Sequence, residues 1–287
     1  MSRIRLVTDS TADIPQPLLE RLNITMVPLK IHFGDEAYLD GVTLRSDQFY
    51  EKLTASATLP TTSQPSPLEF LDTYKKIIEE EGPDVQIVSV HLSSALSGTY
   101  QSAVLAKSML EGEEQVTVVD SKSASYGIGA LVVAAAEAAK DGAGLDTCLE
   151  LIRRMREQFH IYFLVDTLEF LKKGGRIGKA SAILGALLNI KPILSIDKDG
   201  EVAAVDRIRG HKKAMSRMVE MLEADLSGVP IQLHIAHANH PEAAAELEAL
   251  IRERIPVDKV SYVTLGPVIG AHTGPGVVAA FVCPVEV

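Results

Sequence analysis

The sequence predicts an α/β protein of two domains, and three observations carry that expectation. The chain has 287 residues, well beyond the ~150 residues that serve as a one-domain prior. Short β-rich runs alternate with segments of helical periodicity, the pattern of βαβ units around a mostly parallel sheet. Hydrophobic residues make up 46% and charged residues 23% of the chain, the balance of a protein with a buried core. A soft boundary places a first α/β domain with a mostly parallel sheet over 1–160 and a second α/β domain with a mixed sheet over 161–287.

The elements follow in order. IRLVTDS (4–10) reads as a strand ending in polar residues, followed by a helix with Pro17 near its start and Leu18, Leu19 and Leu22 as its apolar stripe. ITMVPLKIHF (24–33) is extended, and residues 34–66 read as loop with one helix near 46–54. A helix over 67–81 feeds the strand VQIVSVHLS (85–93), and a helix over 99–110 feeds QVTVVDS (115–121). In open α/β sheets ligands gather at the carboxyl ends of the strands. Asp9, Ser10, Ser93, Ser94, Ser97, Asp120 and Ser121 are therefore expected on one edge. Helices over 126–140 and 145–158, separated by a Gly-rich turn at 142–144, lead to the strand HIYFLVD (160–166). The second half continues with a helix, a GGR turn, the apolar run ILGALLNIKPIL (183–194), a hairpin at DKDG (197–200) and further α/β elements.

Composition narrows the function. A formal net charge of -10 argues against a general nucleic-acid binder, which needs a surplus of Lys and Arg against phosphate. Two cysteines, Cys148 and Cys283, suit a reducing cytosol without a disulfide framework. The apolar run at the N-terminus is too short for a signal peptide or a span, so a soluble, cytoplasmic protein is expected. No G-x-S-x-G, H-E-x-x-H or C-x-x-C motif is present, and Gly178-Lys179 lacks the remainder of a phosphate loop. His234, His237 and His240 form a tempting cluster, but residues three apart on a strand face opposite ways, so no metal is expected. DKDG lacks the further ligands of a calcium loop.

Three polar clusters remain. TTSQPSP (61–67) sets three hydroxyls before a helix start that Ser66 or a neighbour would cap. HLSSALSGTYQSA (91–103) brings hydroxyls and free backbone N–H groups together where a strand gives way to a helix. VIGAHTGPG (268–276) places His272 in a glycine-rich turn, where packing gives little reason for a histidine.

Taken in order, VTDSTAD, TTSQPS, HLSSALSGTY, VVDSKSASYGIG, KGGRIGKA, NIKPIL, AHAN and GAHTGPG resemble the bacterial DegV family of fatty-acid-binding proteins across nearly the whole chain. The resemblance implies a long-chain fatty acid enclosed between two domains, with no cofactor and no catalysis by this chain. By matching position, Thr62 and Ser97 correspond to the carboxylate-binding hydroxyls, with His272 beside them. It also implies a partner, an ATP-dependent fatty acid kinase that converts the bound carboxylate to an acyl phosphate, with Arg176 and Arg209 as docking contacts. Transient membrane contact for loading is a further expectation, with 183–194 as a contributor to the acyl tunnel. On this reading the head-group site is electrically neutral, built of hydroxyls and an imidazole. Two enzyme readings compete with it. One is an enzyme acting on a phosphorylated or nucleotide substrate at the strand ends, which requires a phosphate loop. The other is a serine hydrolase using Ser97 and His272, oriented by Asp9 or Asp120.

Overall fold

The computed structural model describes residues 3–111, 113–185, 190–226 and 228–285. The first half runs β1 (Ile4–Asp9), α1 (Gln16–Arg21), β2 (Thr25–Val27), β3 (Lys30–Phe33), β4 (Glu36–Leu39), α2 (Ser46–Ala55) and β5 (Thr61–Ser63). It continues with α3 (Pro67–Glu81), β6 (Gln86–His91), α4 (Thr99–Ser108), β7 (Val116–Asp120), α5 (Tyr126–Lys140) and α6 (Leu145–Gln158). The second half is β8 (His160–Leu164), α7 (Glu169–Lys173), β9 (Ile190–Ile196), β10 (Val202–Arg209) and α8 (His211–Leu226). It ends with β11 (Ile231–His237), α9 (Pro241–Arg252), β12 (Val257–Thr264), α10 (Pro267–Thr273) and β13 (Val278–Pro284).

Local chemistry explains the boundaries that matter most. Ser66 and Glu69 form a reciprocal capping box at the start of α3, and Pro67 occupies the first helical position, where its missing N–H is harmless. Phe70, Leu71, Tyr74 and Ile77 then recur at helical spacing as the buried face. The DKDG segment closes the β9–β10 hairpin: Asp197 N–H donates to the Glu201 carbonyl at 2.9 Å, and Gly200 supplies φ +84°.

Two main sheets result. The first is wholly parallel, in the order β2-β1-β6-β7, and the second is a mixed six-stranded sheet, β10-β9-β8-β13-β11-β12, in which only β11 and β12 pair in parallel. The α/β class with a parallel and a mixed sheet is as the sequence predicted. Residues 34–66 are not: β4 and β5 flank β3 in a three-stranded antiparallel sheet. The extended run 24–33 is likewise divided, with β2 in the parallel sheet and β3 in this small one. Both missed strands are short and mostly exposed or half-buried, so neither carries the alternation that marks a strand.

The core lies in layers. Phe70, Tyr74, Ile77 and Ala103 of α3 and α4 pack on one face of the parallel sheet against Val7 and Ile87. Met215, Met218, Leu222 and Leu247 of α8 and α9 cover the outer face of the mixed sheet. A continuous central core joins the remaining faces, combining Leu6, Val88 and Val90 with α5 residues such as Ile128 and Leu131, and with Phe163, Leu194 and Phe281 of the mixed sheet. Of the apolar run 183–194, residues 186–189 lie outside the described residues, and Ile190–Ile196 is β9.

Candidate functional site at the interface of the two sheets

Inside the central core is a cavity bounded by Leu29, Leu92, Phe163, Leu171, Ile196 and Val277, with about 830 Å³ of open space including its mouth. Against this apolar lining stand six polar side chains, Thr62 and Gln64, Ser97, Arg176, and His272 and Thr273, of which Thr62, Ser97, Arg176 and His272 come from four distant segments. A second, outward cleft shares Thr62, Arg176 and His272 and adds Ser56, Thr58 and Lys173. The polar end of the cavity therefore lies toward the surface.

Each of these side chains is set by its element. Thr62 sits on β5, paired with Ile31 of β3, so the small antiparallel sheet delivers it to the cavity. Ser97 lies in the turn between β6 and α4, its amide donating to the Ser93 carbonyl at 3.1 Å and its hydroxyl 2.9 Å from that of Thr99. His272 closes α10, with Nε2 2.8 Å from Thr62 Oγ1. Burial, and next the charge of Arg176, push His272 down to about 4, so the imidazole is neutral at neutral pH. Arg176 follows α7, donating from Nε to the Leu96 carbonyl at 3.0 Å and from Nη1 to the Gly174 carbonyl at 2.8 Å.

The expected neutral head-group site is corrected by Arg176. Its guanidinium is part of the cavity wall, so the polar end carries a fixed positive charge. Arg209 lies elsewhere, exposed at the end of the edge strand β10 and away from the cavity lining. Ile196, two residues beyond the apolar run 183–194, is the residue of β9 that lines the cavity.

The hydrolase arrangement is not assembled. His272 is bonded to Thr62 rather than to Ser97, and Nδ1 has no partner among the described residues, so no carboxylate orients the ring. Asp9 is instead bonded to His91 Nδ1 at 3.0 Å, and Asp120 to Ser94 and Lys122. Asp9, His91 and Ser89 do form an acid–imidazole–hydroxyl chain, extended to Tyr74 by bonds of 2.7 and 2.8 Å. All four are fully buried, which makes this relay a structural tie between β1, β6 and α3. The other hydroxyls of the sheet edge are likewise committed: Ser10 to Asp40, Ser93 to the Gly200 carbonyl and Ser121 to the Ser123 carbonyl.

Two carboxylates, the half-buried Asp13 and the buried Asp40, anchor the start of α10. Asp13 accepts from Gly266 N–H at 3.0 Å and from Ser125, while Asp40 accepts from Ser10 at 2.8 Å and from Val268 N–H. Burial raises Asp40 to about 7. His234 is on β11, bonded to Ser261 and tilted on Tyr126, whereas His237 accepts from His240 N–H. No group of three or more His, Cys, Asp or Glu among the described residues could hold a metal ion. No helix among them is long and apolar enough to cross a membrane.

A family model described as the uncharacterised DegV family matches residues 3–285. The chain belongs to the DegV family. A DegV domain-containing protein of Halalkalibacterium halodurans is 39% identical over 277 residues, 96% of each chain. Among solved structures, a DegV family protein from Thermus thermophilus described for its fatty acid binding superposes with a TM-score of 0.92 at 40% identity, covering 99% of this chain and 100% of that one. DegV of Bacillus subtilis, described as a fatty acid binding protein, superposes with a TM-score of 0.88 at 35% identity over 99% and 100%. Fatty acid binding is thus a property of solved DegV relatives that share this fold over their full length. The resemblance assigns Arg176 to kinase docking, whereas its side chain lines the cavity together with Gln64, which the sequence did not single out. The GGR turn beside α7 was the available signal, since adjacent glycines let a following side chain fold back on the backbone.

Proposed function

We propose that this DegV family member binds one long-chain fatty acid, with the acyl tail in the cavity and the carboxylate at Thr62, Ser97 and Arg176, with His272 beside them. The observation that supports this is the cavity's polarity: a cluster of hydroxyls, one guanidinium and one imidazole at the outer end of an otherwise apolar space. A 16-carbon tail buries roughly 14 methylenes, worth about 11 kcal/mol before several kcal/mol of ordering cost, so the tail dominates affinity. A carboxylate removed from water needs charge and hydrogen bonds in return. Arg176 supplies the charge, and Thr62 and Ser97 supply hydroxyl donors.

On this reading the chain is a carrier without catalysis of its own, working in the cytoplasm and touching membrane only to load and unload. The carboxylate is presented through the outer cleft to an ATP-dependent fatty acid kinase. A carboxylate oxygen attacks the terminal phosphorus of ATP, the bond to ADP breaks, and acyl phosphate and ADP result. Arg209, exposed on β10, is assigned to kinase docking, and the chain divides into its two domains at 160/161, at the start of β8. Denaturing the purified protein and identifying released small molecules by mass spectrometry tests the core of the reading. One fatty acid per chain is expected; none released, and none bound when palmitate is added, refutes it.

A further inference from the structure

Gly174 and Gly175 stand side by side and are glycines for different reasons. Gly175 has φ +71° with open space around it, so its conformation excludes a side chain. Gly174 has φ -74° and ψ -8°, ordinary helical values that any residue adopts. What excludes a side chain there is space, because a Cβ would lie 2.3 Å from His272 Nδ1 and 3.0 Å from the Phe170 carbonyl oxygen. The imidazole therefore rests directly on the bare α-carbon of Gly174. The carbonyl of the same residue accepts from Arg176 Nη1 at 2.8 Å. One residue thus seats two of the polar groups of the cavity, His272 and Arg176.

This contact also decides how the imidazole is protonated. A neutral imidazole carries one N–H, and His272 has a partner only at Nε2, which lies 2.8 Å from Thr62 Oγ1. Nδ1, pressed against Gly174, is buried with no partner among the described residues. A proton on Nδ1 would be an orphaned buried donor, the costlier of the two states and the rarer in proteins. The proton accordingly sits on Nε2 and is donated to Thr62. A hydroxyl that accepts from His272 keeps its own hydrogen for another acceptor.

Building on the carboxylate-binding reading above, we propose that Gly174 is a positioning residue. It holds His272 as the Nε2–H tautomer, so that Thr62 is turned to donate its hydroxyl hydrogen to the bound carboxylate, and it fixes Arg176 on the same wall. His272 on this account acts through Thr62 and is not itself the carboxylate's partner.

The test uses the full chain loaded with palmitate carrying carbon-13 at its carboxyl and with nitrogen-15 in its histidines. Nuclear magnetic resonance then reads the carboxyl titration and the His272 tautomer in one sample. Wild type is expected to show His272 protonated at Nε2. Gly174→Ala is expected to raise the pKa of the bound carboxyl by about one pH unit, as Thr62→Val does, because each removes one hydrogen bond to a charged group. An Nδ1–H tautomer in wild type, or a Gly174→Ala titration equal to wild type while Thr62→Val moves it, overturns the proposal. If neither Thr62→Val nor Ser97→Ala moves the titration, the carboxylate-binding reading fails and takes this proposal with it. Should Gly174→Ala not fold, His272→Gln and His272→Leu replace it. The Gln amide N–H reaches the same hydroxyl and keeps the wild-type titration, and Leu does not; equal titrations in the two refute the role.

Discussion

At the carboxyl edge of the parallel sheet, Asp9, Ser10, Ser94 and Asp120 direct their hydrogen bonds at one another and at nearby backbone, whereas at the cavity mouth Thr62, Ser97 and Arg176 leave part of theirs uncommitted. The residue types overlap, and so does the place in the fold. What separates them is closure. Asp9 receives Thr11 N–H, Leu92 N–H and His91 Nδ1, all within the buried interior. Asp120, despite burial that works against its charge, is held below the usual carboxylate range by Ser94 and Lys122. A satisfied polar cluster stabilises a fold, and an incompletely satisfied one beside a cavity awaits a ligand.

The sharpest way to break this comparison is Asp9→Ala. It strands His91 and two backbone donors in the interior and is expected to cost about 3 kcal/mol or more in urea unfolding. Palmitate bound per folded molecule should stay at wild-type level. A cost below about 1 kcal/mol would remove the structural half of the contrast.

Next in size is a pH effect from the same structural edge. Burial raises Asp40 to about 7, so the folded chain keeps this proton where the unfolded chain, with its carboxyl at 3.8, has released it. The stability contributed is therefore present below the unfolded value and lost as pH rises toward 7, with a slope of at most about 1.4 kcal/mol per pH unit. Asp40→Asn should flatten urea stability across that window, and an unchanged slope would show that Asp40 titrates normally. The smallest effect on stability, and the largest on function, is expected at the mouth. Thr62→Val and Ser97→Ala should retain palmitate while slowing acyl phosphate formation by a purified fatty acid kinase about tenfold or more, the worth of one hydrogen bond to a charge. Loss of lipid with normal phosphorylation of whatever remains bound would reverse the division between tail and head.

Much of the fold was legible because its signals are local. The capping box of Ser66 and Glu69 and the apolar spacing of Phe70 to Ile77 announce α3 without reference to the rest of the chain. The missed strands β4 and β5 owe their form to pairing with β3, a tertiary event that leaves no period in EAYL or TTS. The site divides in the same way. Thr62, Ser97 and His272 could be picked out as hydroxyls and a histidine in unusual turns, and the structure brings them to one cavity. Arg176 could not be assigned to the wall from its own segment, since its side chain is directed by carbonyls of Leu96 and Gly174 on two different segments. Nor could the sheet-edge hydroxyls Ser10, Ser93 and Ser94 be recognised as structural, because their partners Asp40, Gly200 and Asp120 lie on other segments that only the fold brings close.

Helix α10 ties the two halves of the chain together. It belongs in sequence to the second half, yet both of its ends are tethered to the first: Asp13 and Asp40 hold its opening turn, and Thr62 meets His272 in its last. At seven residues it is a rod of only roughly 10 Å, too short to flex between those tethers. Any parting of the two sheets wide enough to admit an acyl chain sideways would pull both tethers at once. A gaping molecule would then have no finished mouth, so under the proposed function admitting a lipid and gripping its head group would be mutually exclusive postures of the same short rod.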